Sequence, residues 1–307
     1  MSDEVTVVIP TRDRAVLLAD ALASVAAQER GPVRTLVVDD ASREPPTLAG
    51  SAAELLRRPA SAGVSAARNH GLAHVETEWV AFLDDDDLWA PAKLARQVSA
   101  AVEGADLVWC SVVVVDERRR PVGLVPAAEP ASVAERLVRT NAIGSPSSVL
   151  VRTAAVRAVG GFDEGLALLA DWDLWLRLAP TARGAACPDV LAAYTEHAGN
   201  MTSTAAGRVD RELGHMAEKH GGRLGGAELA RWRAGALRRD GGRLAAARAY
   251  LETGVRERDA ASLARAPAAL LGEPLLGRLR RRRAARLLGP TAWLEPYRHE
   301  PHTTVET

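Results

Sequence analysis

The sequence Phe82-Leu-Asp-Asp-Asp-Asp-Leu-Trp89 places four consecutive carboxylates directly after a short apolar run, Trp79 to Leu83, which has the pattern of a buried strand. Adjacent carboxylates repel one another, so they destabilise a strand end unless a cation neutralises part of their charge. Mg²⁺ and Mn²⁺ prefer oxygen ligands and share them readily with phosphate groups. A solvated acidic turn is the alternative interpretation, but the position immediately after a buried strand favours a cation-binding site.

The segments around this tetrad alternate between strand and helix patterns. Strands are predicted at Val5 to Ile9, Leu36 to Val38, Trp79 to Leu83, Leu107 to Val115 and Val149 to Val151, and helices at Ala15 to Gln28, Ser65 to Val75 and Pro91 to Val102. This alternation predicts an α/β fold with a Rossmann-like, mostly parallel sheet flanked by helices. Polar residues follow three strands, at the edge where such sheets bind ligands, namely Thr11 to Asp13, Asp39-Asp40 and Asp84 to Asp87.

The chain changes character after about Thr204, where strand patterns end and helical stretches rich in alanine and arginine begin. We therefore predict an α/β domain over residues 1–204 and a basic helical region over residues 205–307, with a helical hairpin formed by residues 227–239 and 243–257. The formal net charge of +0 hides this division. Residues 1–204 hold 19 basic and 27 acidic side chains, and residues 205–307 hold 20 and 12, so the two parts carry −8 and +8.

Seven motifs in order resemble those of glycosyltransferase family two. They are Val8-Ile-Pro-Thr-Arg-Asp-Arg14, Val37-Val-Asp-Asp-Ala-Ser42, Ala62-Gly-Val-Ser-Ala-Ala-Arg-Asn69, Phe82-Leu-Asp-Asp-Asp-Asp87, Gly160-Gly-Phe-Asp-Glu164, Asp171-Trp-Asp-Leu-Trp-Leu-Arg177 and His197-Ala-Gly-Asn200. The resemblance implies a GT-A fold and an inverting, metal-dependent enzyme. Such an enzyme moves a sugar from a nucleotide-diphosphate sugar, with UDP- or dTDP-sugars favoured, to a hydroxyl of a glycan, lipid-linked or small-molecule acceptor.

The resemblance also implies a set of donor-binding residues. Those expected to contact the nucleotide sugar are Pro10, Thr11, Arg12, Asp39, Asp40, Arg68, Asn69, Asp84 and Asp85. Asp40 is the preferred reader of a uracil or thymine imide. Asp86 is expected to bind Mg²⁺ or Mn²⁺, which would stabilise the departing nucleoside diphosphate. His197 either completes the metal or diphosphate contacts or is a structural histidine.

On the acceptor side, the resemblance makes Asp171 the general base that removes the proton of the attacking hydroxyl. This sequence departs from the family's Glu-Asp pair, because Ala170 stands in place of the glutamate. Ser147 and Gly161 are expected to border the acceptor, although the glycine also fits a simple tight turn. Trp172 either stacks on a sugar or packs in the core.

Three rival functions fit the sequence less well. A sugar nucleotidyltransferase needs a glycine-rich phosphate loop, which Ile9-Pro-Thr-Arg-Asp13 lacks. A non-catalytic nucleotide-sugar binder predicts loss of Asp86 or Asp171, and both are present. A nucleic-acid binder would depend on Arg278 and the run Arg280 to Arg283, which lack interleaved aromatic residues, so no nucleic-acid partner is expected.

The same basic run has two open interpretations. With its neighbouring leucines it forms either an amphipathic helix that binds an anionic membrane or lipid-linked acceptor, or a helix that packs on the catalytic domain or a second copy of the chain. The acidic start Met1 to Glu4 has no secretory-signal pattern, and two widely separated cysteines suggest a reducing compartment. We therefore expect a cytoplasmic location, in solution or at the inner face of the membrane.

Overall fold

The computed structural model describes residues 5–31, 33–48, 50–101, 104–197, 206–222, 224–239, 241–271 and 291–298. Within these ranges the strands are β1 (Val5–Thr11), β2 (Val33–Asp39), β3 (Glu54–Arg57), β4 (Trp79–Phe82), β5 (Leu88–Trp89), β6 (Leu107–Asp116), β7 (Pro121–Val125), β8 (Val149–Arg152) and β9 (Gly184–Glu196). The helices are α1 (Ala15–Ala26), α2 (Val64–Ala73), α3 (Lys93–Ala100), α4 (Pro130–Leu137), α5 (Thr153–Ala158), α6 (Ala170–Leu178), α7 (Ala206–Lys219), α8 (Ala227–Arg239), α9 (Arg243–Arg256) and α10 (Ala260–Ala268).

The strands form one sheet in the order β3-β2-β1-β4-β8-β6-β9-β5, with β7 pairing with β6. The first four strands in this order are parallel, as expected from the alternating pattern. β8 then enters antiparallel to both β4 and β6, and β5 and β7 also pair antiparallel with their neighbours. β6 and β9 pair parallel again, so the sheet is mixed beyond β4: the predicted parallel pairing is found in β3-β2-β1-β4 and between β6 and β9, and the other neighbouring strands pair antiparallel.

This departure has a physical reason in how β8 is reached. Two consecutive parallel strands require a crossover connection, which returns the chain to the end of the sheet at which the first strand began. Between β6 and β8 the chain instead passes through the antiparallel strand β7, helix α4 and a short 3-10 turn at Pro146–Ser148. It therefore enters β8 at the end of the sheet where β6 finishes. No strong turn or periodicity signal in this stretch marks the reversal.

Two apolar layers cover the sheet. On one side Ile9, Leu18 and Leu94 are fully or almost fully buried where α1 and α3 pack. On the other side Phe82 and Trp175 belong to a larger core that includes α2, α4 and α6. Because successive strand residues point to opposite faces, β1 contributes Val8 to one layer and Ile9 to the other.

The acidic tetrad lies in the connection between β4 and β5. β4 is central in the sheet whereas β5 is its last strand, so the four aspartates cross from the middle of the sheet towards one edge. The turn is closed by a hydrogen bond of 3.1 Å from the Asp87 backbone N–H to the carbonyl of Asp84. The predicted strand and the turn after it are thus both present.

The helices after residue 205 continue the fold. α8 and α9 form the predicted hairpin, with α9 ending at Arg256, and α10 packs against α9. Val209, Leu213 and Met216 of α7 are buried in the same core as α6, so residues beyond the predicted domain boundary share the core of the α/β domain. No helix among the described residues is long and apolar enough to span a membrane. The basic run at 280–283, with the leucines around it, lies outside the described residues.

Candidate active site

The acidic turn is buried and held by backbone and side-chain contacts. Asp85, Asp86 and Asp87 expose 5%, 7% and 1% of their surface. The Asp84 backbone N–H donates to the Ser147 hydroxyl at 3.1 Å, and a carboxylate oxygen of Asp87 accepts from the Thr195 backbone N–H at 3.1 Å. Three carboxyl groups withdrawn from water in one turn disfavour one another's ionisation, and burial and neighbouring carboxylates raise the pKa of Asp85 and of Asp87.

Asp85 is a buried carboxylate whose charge is only partly compensated by its neighbours. The Thr11 hydroxyl donates to its Oδ2 at 2.7 Å and Arg14 approaches its Oδ1 at 3.2 Å. Burial and the neighbouring charge of Asp86 nevertheless outweigh these contacts and raise the pKa of Asp85 to about 7. This side chain would therefore gain from additional positive charge near the turn.

Asp86 shares Arg14 with Asp85 and has His197 as a further partner. Its Oδ2 lies 2.9 Å from the Nε2 of His197 and 2.8 Å from the Nη1 of Arg14. Burial alone would raise the pKa of Asp86, but the contacts with His197 and Arg14 prevail and lower it. The structure thus brings together the two residues predicted to bind metal. Asn200, the last residue of the seventh motif, is outside the described residues.

Asp39 and Asp40 at the end of β2 are occupied by internal contacts. Asp39 accepts from the Ser42 backbone N–H at 2.8 Å and is paired with Arg57 at 3.2 Å. Asp40 accepts from Arg58 and from the Ser61 hydroxyl, both at 2.7 Å, and also from two backbone N–H groups of the same loop. These contacts outweigh burial and lower the pKa of Asp40. In this structure Asp40 anchors a loop, and its contact with a nucleobase stays a prediction.

The other residues at this end of the sheet differ in exposure. Pro10 is buried and lines the cavity described below, whereas Arg12 is exposed and donates to the Ser61 hydroxyl at 2.9 Å. Arg68 is only 4% exposed, forms an ion pair with Asp84, and lies over the Phe162 ring at 5.2 Å. Arg68 is therefore fixed against the acidic turn, on the cavity side of α2.

Asn69 and Gly161 support the site from behind. The Asn69 side-chain amide donates to the Phe162 carbonyl and to Glu164, both at 2.9 Å, and accepts from the Phe162 backbone N–H at 2.8 Å. Gly161 has a φ of +72°, and a Cβ there would lie 2.6 Å from Asn69 Oδ1. Neither residue lines the cavity. Asn69 on α2 thus contacts the tight turn at Gly161, and the donor contact of Asn69 and the acceptor contact of Gly161 stay predictions.

Asp171 opens α6 and faces the same cavity as the acidic turn. Its Oδ2 accepts from the Asn141 side-chain amide at 2.9 Å, and its Oδ1 accepts from the Trp172 backbone N–H at 2.7 Å. Burial raises the pKa of Asp171 to about 6, against the opposing effects of the Trp172 N–H, Arg68 and Asn141. A carboxylate with a pKa near 6 can accept a proton at neutral pH and is a stronger base than an exposed aspartate.

Ser147 and Trp172, predicted to border the acceptor, are largely structural. Ser147 is 2% exposed, and its hydroxyl and carbonyl hold the Asp84 backbone and the Trp89 indole N–H. Trp172 is also 2% exposed and donates from its indole N–H to the Leu137 carbonyl at 2.6 Å. Trp172 belongs to the core that includes residues of α4, and it is also among the residues that line the cavity.

One cavity of about 900 Å³ joins the two groups of residues. Its lining includes Pro10, Arg14, Arg68, Asp84, Asp85, Asp86 and His197 from the donor-binding set and its neighbours, and Asn141, Asp171, Trp172, Leu229, Trp232 and Arg238 from elsewhere in the chain. The last three belong to α8, so the C-terminal helices contribute part of the cavity wall. A cavity of this size can hold a nucleotide sugar together with part of an acceptor.

Several lining or supporting residues were not singled out in the sequence. Arg14 stands in the first motif but had no assigned role, and Asn141 lies in a loop with no recognisable pattern. Arg119 is 4% exposed, has a φ of +57°, and donates to the Asp86 carbonyl at 3.0 Å. An arginine in a left-handed conformation gives no sequence signal, since that region is used chiefly by glycine and asparagine.

The mixed sheet, with a carboxylate-rich turn at its strand ends and a carboxylate at the start of a facing helix, defines a glycosyltransferase of the GT-A fold. The model of the glycosyl transferase family 2 matches residues 6–158, and the chain belongs to this family. It is accordingly a transferase enzyme, as predicted.

Two curated relatives illustrate the range of the family. The chain is 26% identical over 229 residues to the uncharacterized glycosyltransferase YwdF of Bacillus subtilis, covering 71% of this chain and 84% of that protein. It is 34% identical over 199 residues to the pre-mycofactocin glycosyltransferase of Mycobacterium tuberculosis, covering 57% of this chain and 39% of that protein. The match to the mycobacterial protein therefore leaves more than half of that protein outside the comparison.

Two solved structures have the same fold. The crystal structure of S. aureus TarS 1–349 in complex with UDP-GlcNAc has a TM-score of 0.57 at 18% identity, covering 92% of each chain. The mannosyltransferase PcManGT from Pyrobaculum calidifontis, in complex with GDP-Man and Mn²⁺, has a TM-score of 0.55 at 19% identity, covering 92% of this chain and 84% of that one. At these identities the likeness concerns the fold alone.

Proposed function

We propose that this glycosyltransferase moves a sugar from a nucleotide-diphosphate sugar, of the UDP or dTDP type, to an acceptor hydroxyl with inversion at the anomeric carbon. The observation that carries the proposal is the single cavity lined both by the acidic turn and by Asp171. A nucleotide sugar bound at the turn would present its anomeric carbon to an acceptor held beside Asp171. TarS and PcManGT, which share the fold, were solved with UDP-GlcNAc and GDP-Man, and this supports the donor class.

The donor side fits a divalent cation. Asp85 is buried with its pKa raised to about 7, so further positive charge beside the turn would stabilise its ionised form, while Asp86 and His197 offer an oxygen and a nitrogen donor at one point. Among the described residues no three His, Cys, Asp or Glu side chains form a complete metal site. Asp86 and His197 would therefore hold Mg²⁺ or Mn²⁺ together with the donor diphosphate, and the ion would neutralise charge on the leaving nucleoside diphosphate.

Two arginines are placed to act on the same diphosphate. Arg14 is paired with Asp85 and Asp86, and Arg68 with Asp84. The guanidinium groups face a cavity in which phosphate oxygens would compete with these carboxylates for the same donors. Their role in the reaction would be to orient the diphosphate and to stabilise the negative charge that develops on it as the glycosidic bond breaks.

Asp171 would be the general base. Its carboxylate is oriented by the Asn141 amide and the Trp172 backbone N–H, which together use one lone pair on each oxygen. The remaining lone pairs are available to accept the proton of the acceptor hydroxyl as its oxygen attacks the anomeric carbon. The electron pair of the breaking bond leaves with the nucleoside diphosphate, so the proton ends on Asp171 and the charge on the leaving group.

A donor screen tests this proposal. Release of nucleoside diphosphate is measured with Mn²⁺ or Mg²⁺ across UDP-, dTDP- and GDP-sugars, and thermal shift is recorded with the same compounds. We expect one nucleotide class to stabilise the protein and to be turned over slowly by water. Absence of both responses with every donor would overturn the proposal, whereas stabilisation without turnover, even with acceptor glycans, would favour the non-catalytic binder.

A further inference from the structure

Glu212 of α7 makes an unusual contact with the chain segment that leads into α6. One oxygen of its carboxylate accepts from three consecutive backbone N–H groups, those of Ala167 at 3.2 Å, Leu168 at 2.8 Å and Leu169 at 3.0 Å. Glu212 is 7% exposed, so these bonds form largely away from water. Hydrogen bonds to a buried charged acceptor are among the stronger ones in proteins.

The segment held by Glu212 sets the start of the helix that carries Asp171. α6 begins at Ala170, and Leu169 before it provides no side-chain cap. The three N–H groups lie just before the helix, and the last of them belongs to its capping residue Leu169, so an acceptor from a different helix fixes the segment that enters α6. Ala170 stands where the resembled motif has a glutamate, so the first turn of α6 has no acidic residue ahead of Asp171.

α7 is itself fixed against α6, so Glu212 is a firm anchor. Lys219 lies 2.6 Å from Asp163 and 3.0 Å from Asp173, and His220 lies 2.8 Å from Asp173. Asp173 is fully buried in α6 and also binds Arg177. Lys219 and His220 at the end of α7 thus bind Asp173 of α6, while Glu212 near the middle of α7 binds the segment before α6.

We propose that Glu212 is a positioning residue for transfer: it fixes the start of α6 and so places Asp171 against the acceptor hydroxyl. The inference rests on the proposed function, in which Asp171 is the base. It assigns to the C-terminal helices a part in catalysis that neither the family match over residues 6–158 nor the motifs cover.

Release of the start of α6 should change the pH dependence of turnover, which a purely structural role of Glu212 would leave unchanged. If the start of α6 is released, the Asn141 amide and the Trp172 N–H lose their alignment with the Asp171 carboxylate. Both contacts favour the charged form of Asp171, so their loss raises its pKa. Turnover should then fall, and the pH below which kcat declines should rise. The affinity for the nucleotide should stay the same.

The experiment compares Glu212→Ala, Glu212→Gln and Glu218→Ala in the full chain. Glu218 lies on the same helix but is exposed, so its variant controls for the loss of a carboxylate from α7. Hydrogen exchange is measured at the amides of 167–169, and nucleoside diphosphate release is followed from pH 5 to pH 9. We expect Glu212→Ala to speed exchange at these amides and to lower kcat by about 100-fold, as small misplacements of catalytic groups do.

Glu212→Gln keeps an oxygen acceptor and should restore most of the turnover, whereas Glu218→Ala should match the wild type. Unchanged exchange in Glu212→Ala would overturn the contact itself. Faster exchange with an unchanged kcat and pH profile would overturn the positioning role. Because exchange needs no substrate, and wild-type turnover is measured in parallel, failure of this inference is distinct from failure of the proposed function.

Discussion

The donor side and the acceptor side of the cavity are built in different ways. On the donor side Thr11 ends β1, Asp85 and Asp86 lie in the turn between β4 and β5, and the Thr11 hydroxyl joins the two by donating to Asp85. On the acceptor side Asn141 precedes the 3-10 turn, Asp171 opens α6 and Trp232 lies on α8. The donor side therefore depends on the sheet, whereas the acceptor side depends on how separate helices pack.

This difference suggests a division of tasks. A nucleoside diphosphate is the same in many reactions, and a rigid set of strand ends suits a constant ligand. Acceptors differ between enzymes, and helices that are added after the sheet can change without disturbing it. Variants on the two sides should therefore differ in which quantity they change: turnover, nucleotide binding or acceptor binding.

Asp171→Asn should have the largest effect and should leave the donor side intact. The amide cannot accept the hydroxyl proton, so kcat should fall by about 10³-fold, within the range that general bases contribute. Titration with UDP or dTDP and Mn²⁺ should give the wild-type affinity, because Asp171 does not contact the acidic turn in the structure. Equal loss of nucleotide binding would contradict the separation of the two sides.

Asp86→Asn should affect the donor side instead. Removing the carboxylate eliminates the contact with His197 and one of the two proposed metal ligands. We expect turnover to fall by about 10²-fold, as when one stabiliser of transition-state charge is removed. Nucleotide affinity should weaken in Mn²⁺ and change little in EDTA. The wild type should bind nucleotide more tightly with Mn²⁺ than without it. If Asp86→Asn binds nucleotide equally well with and without Mn²⁺, Asp86 is a metal ligand.

The pH dependence should report on the acceptor side. The pKa of Asp171 is raised to about 6, and the base must be deprotonated, so kcat should be level above about pH 7 and fall tenfold per unit below pH 6. Asn141→Ala removes a hydrogen bond that favours the charged form, so the acid limb should move upward by about one unit. Activity near pH 8 should change little, and a limb that moves downward would contradict the assigned contact.

Much of the donor side could be predicted from the sequence, because strand ends and motif residues are close in the chain. The GT-A fold was confirmed, and Thr11, Asp85, Asp86 and His197 lie together as the resemblance implied. The exceptions have physical causes. The tight turn at Gly161 consumes the Asn69 amide, and this was not visible in the motif.

The acceptor side was less predictable because its geometry comes from long-range packing. Asp171 was found only through the resemblance, and Asn141, 30 positions earlier, has no pattern that links it to that helix. Glu212 reaches the start of α6 from 43 to 45 positions further along the chain. Such contacts depend on how α7 docks, and neither periodicity nor spacing encodes that docking.

Trp232 offers the smallest and most selective test of the comparison. Its ring is half-buried on α8 and lines the cavity together with Leu229 and Asp171, so it can stack on an acceptor sugar without touching the acidic turn. Trp232→Ala should raise the acceptor KM by roughly 2- to 10-fold, the range of an aromatic contact. Trp232→Phe should recover most of this loss, and Leu244→Ala, on an exposed position of α9, should have no effect.

Donor hydrolysis by water should stay unchanged in all three variants, because water does not need an aromatic ring on which to stack. A parallel fall in hydrolysis would mean that α8 supports the base rather than the acceptor, and the two sides of the cavity would then be coupled through the C-terminal helices.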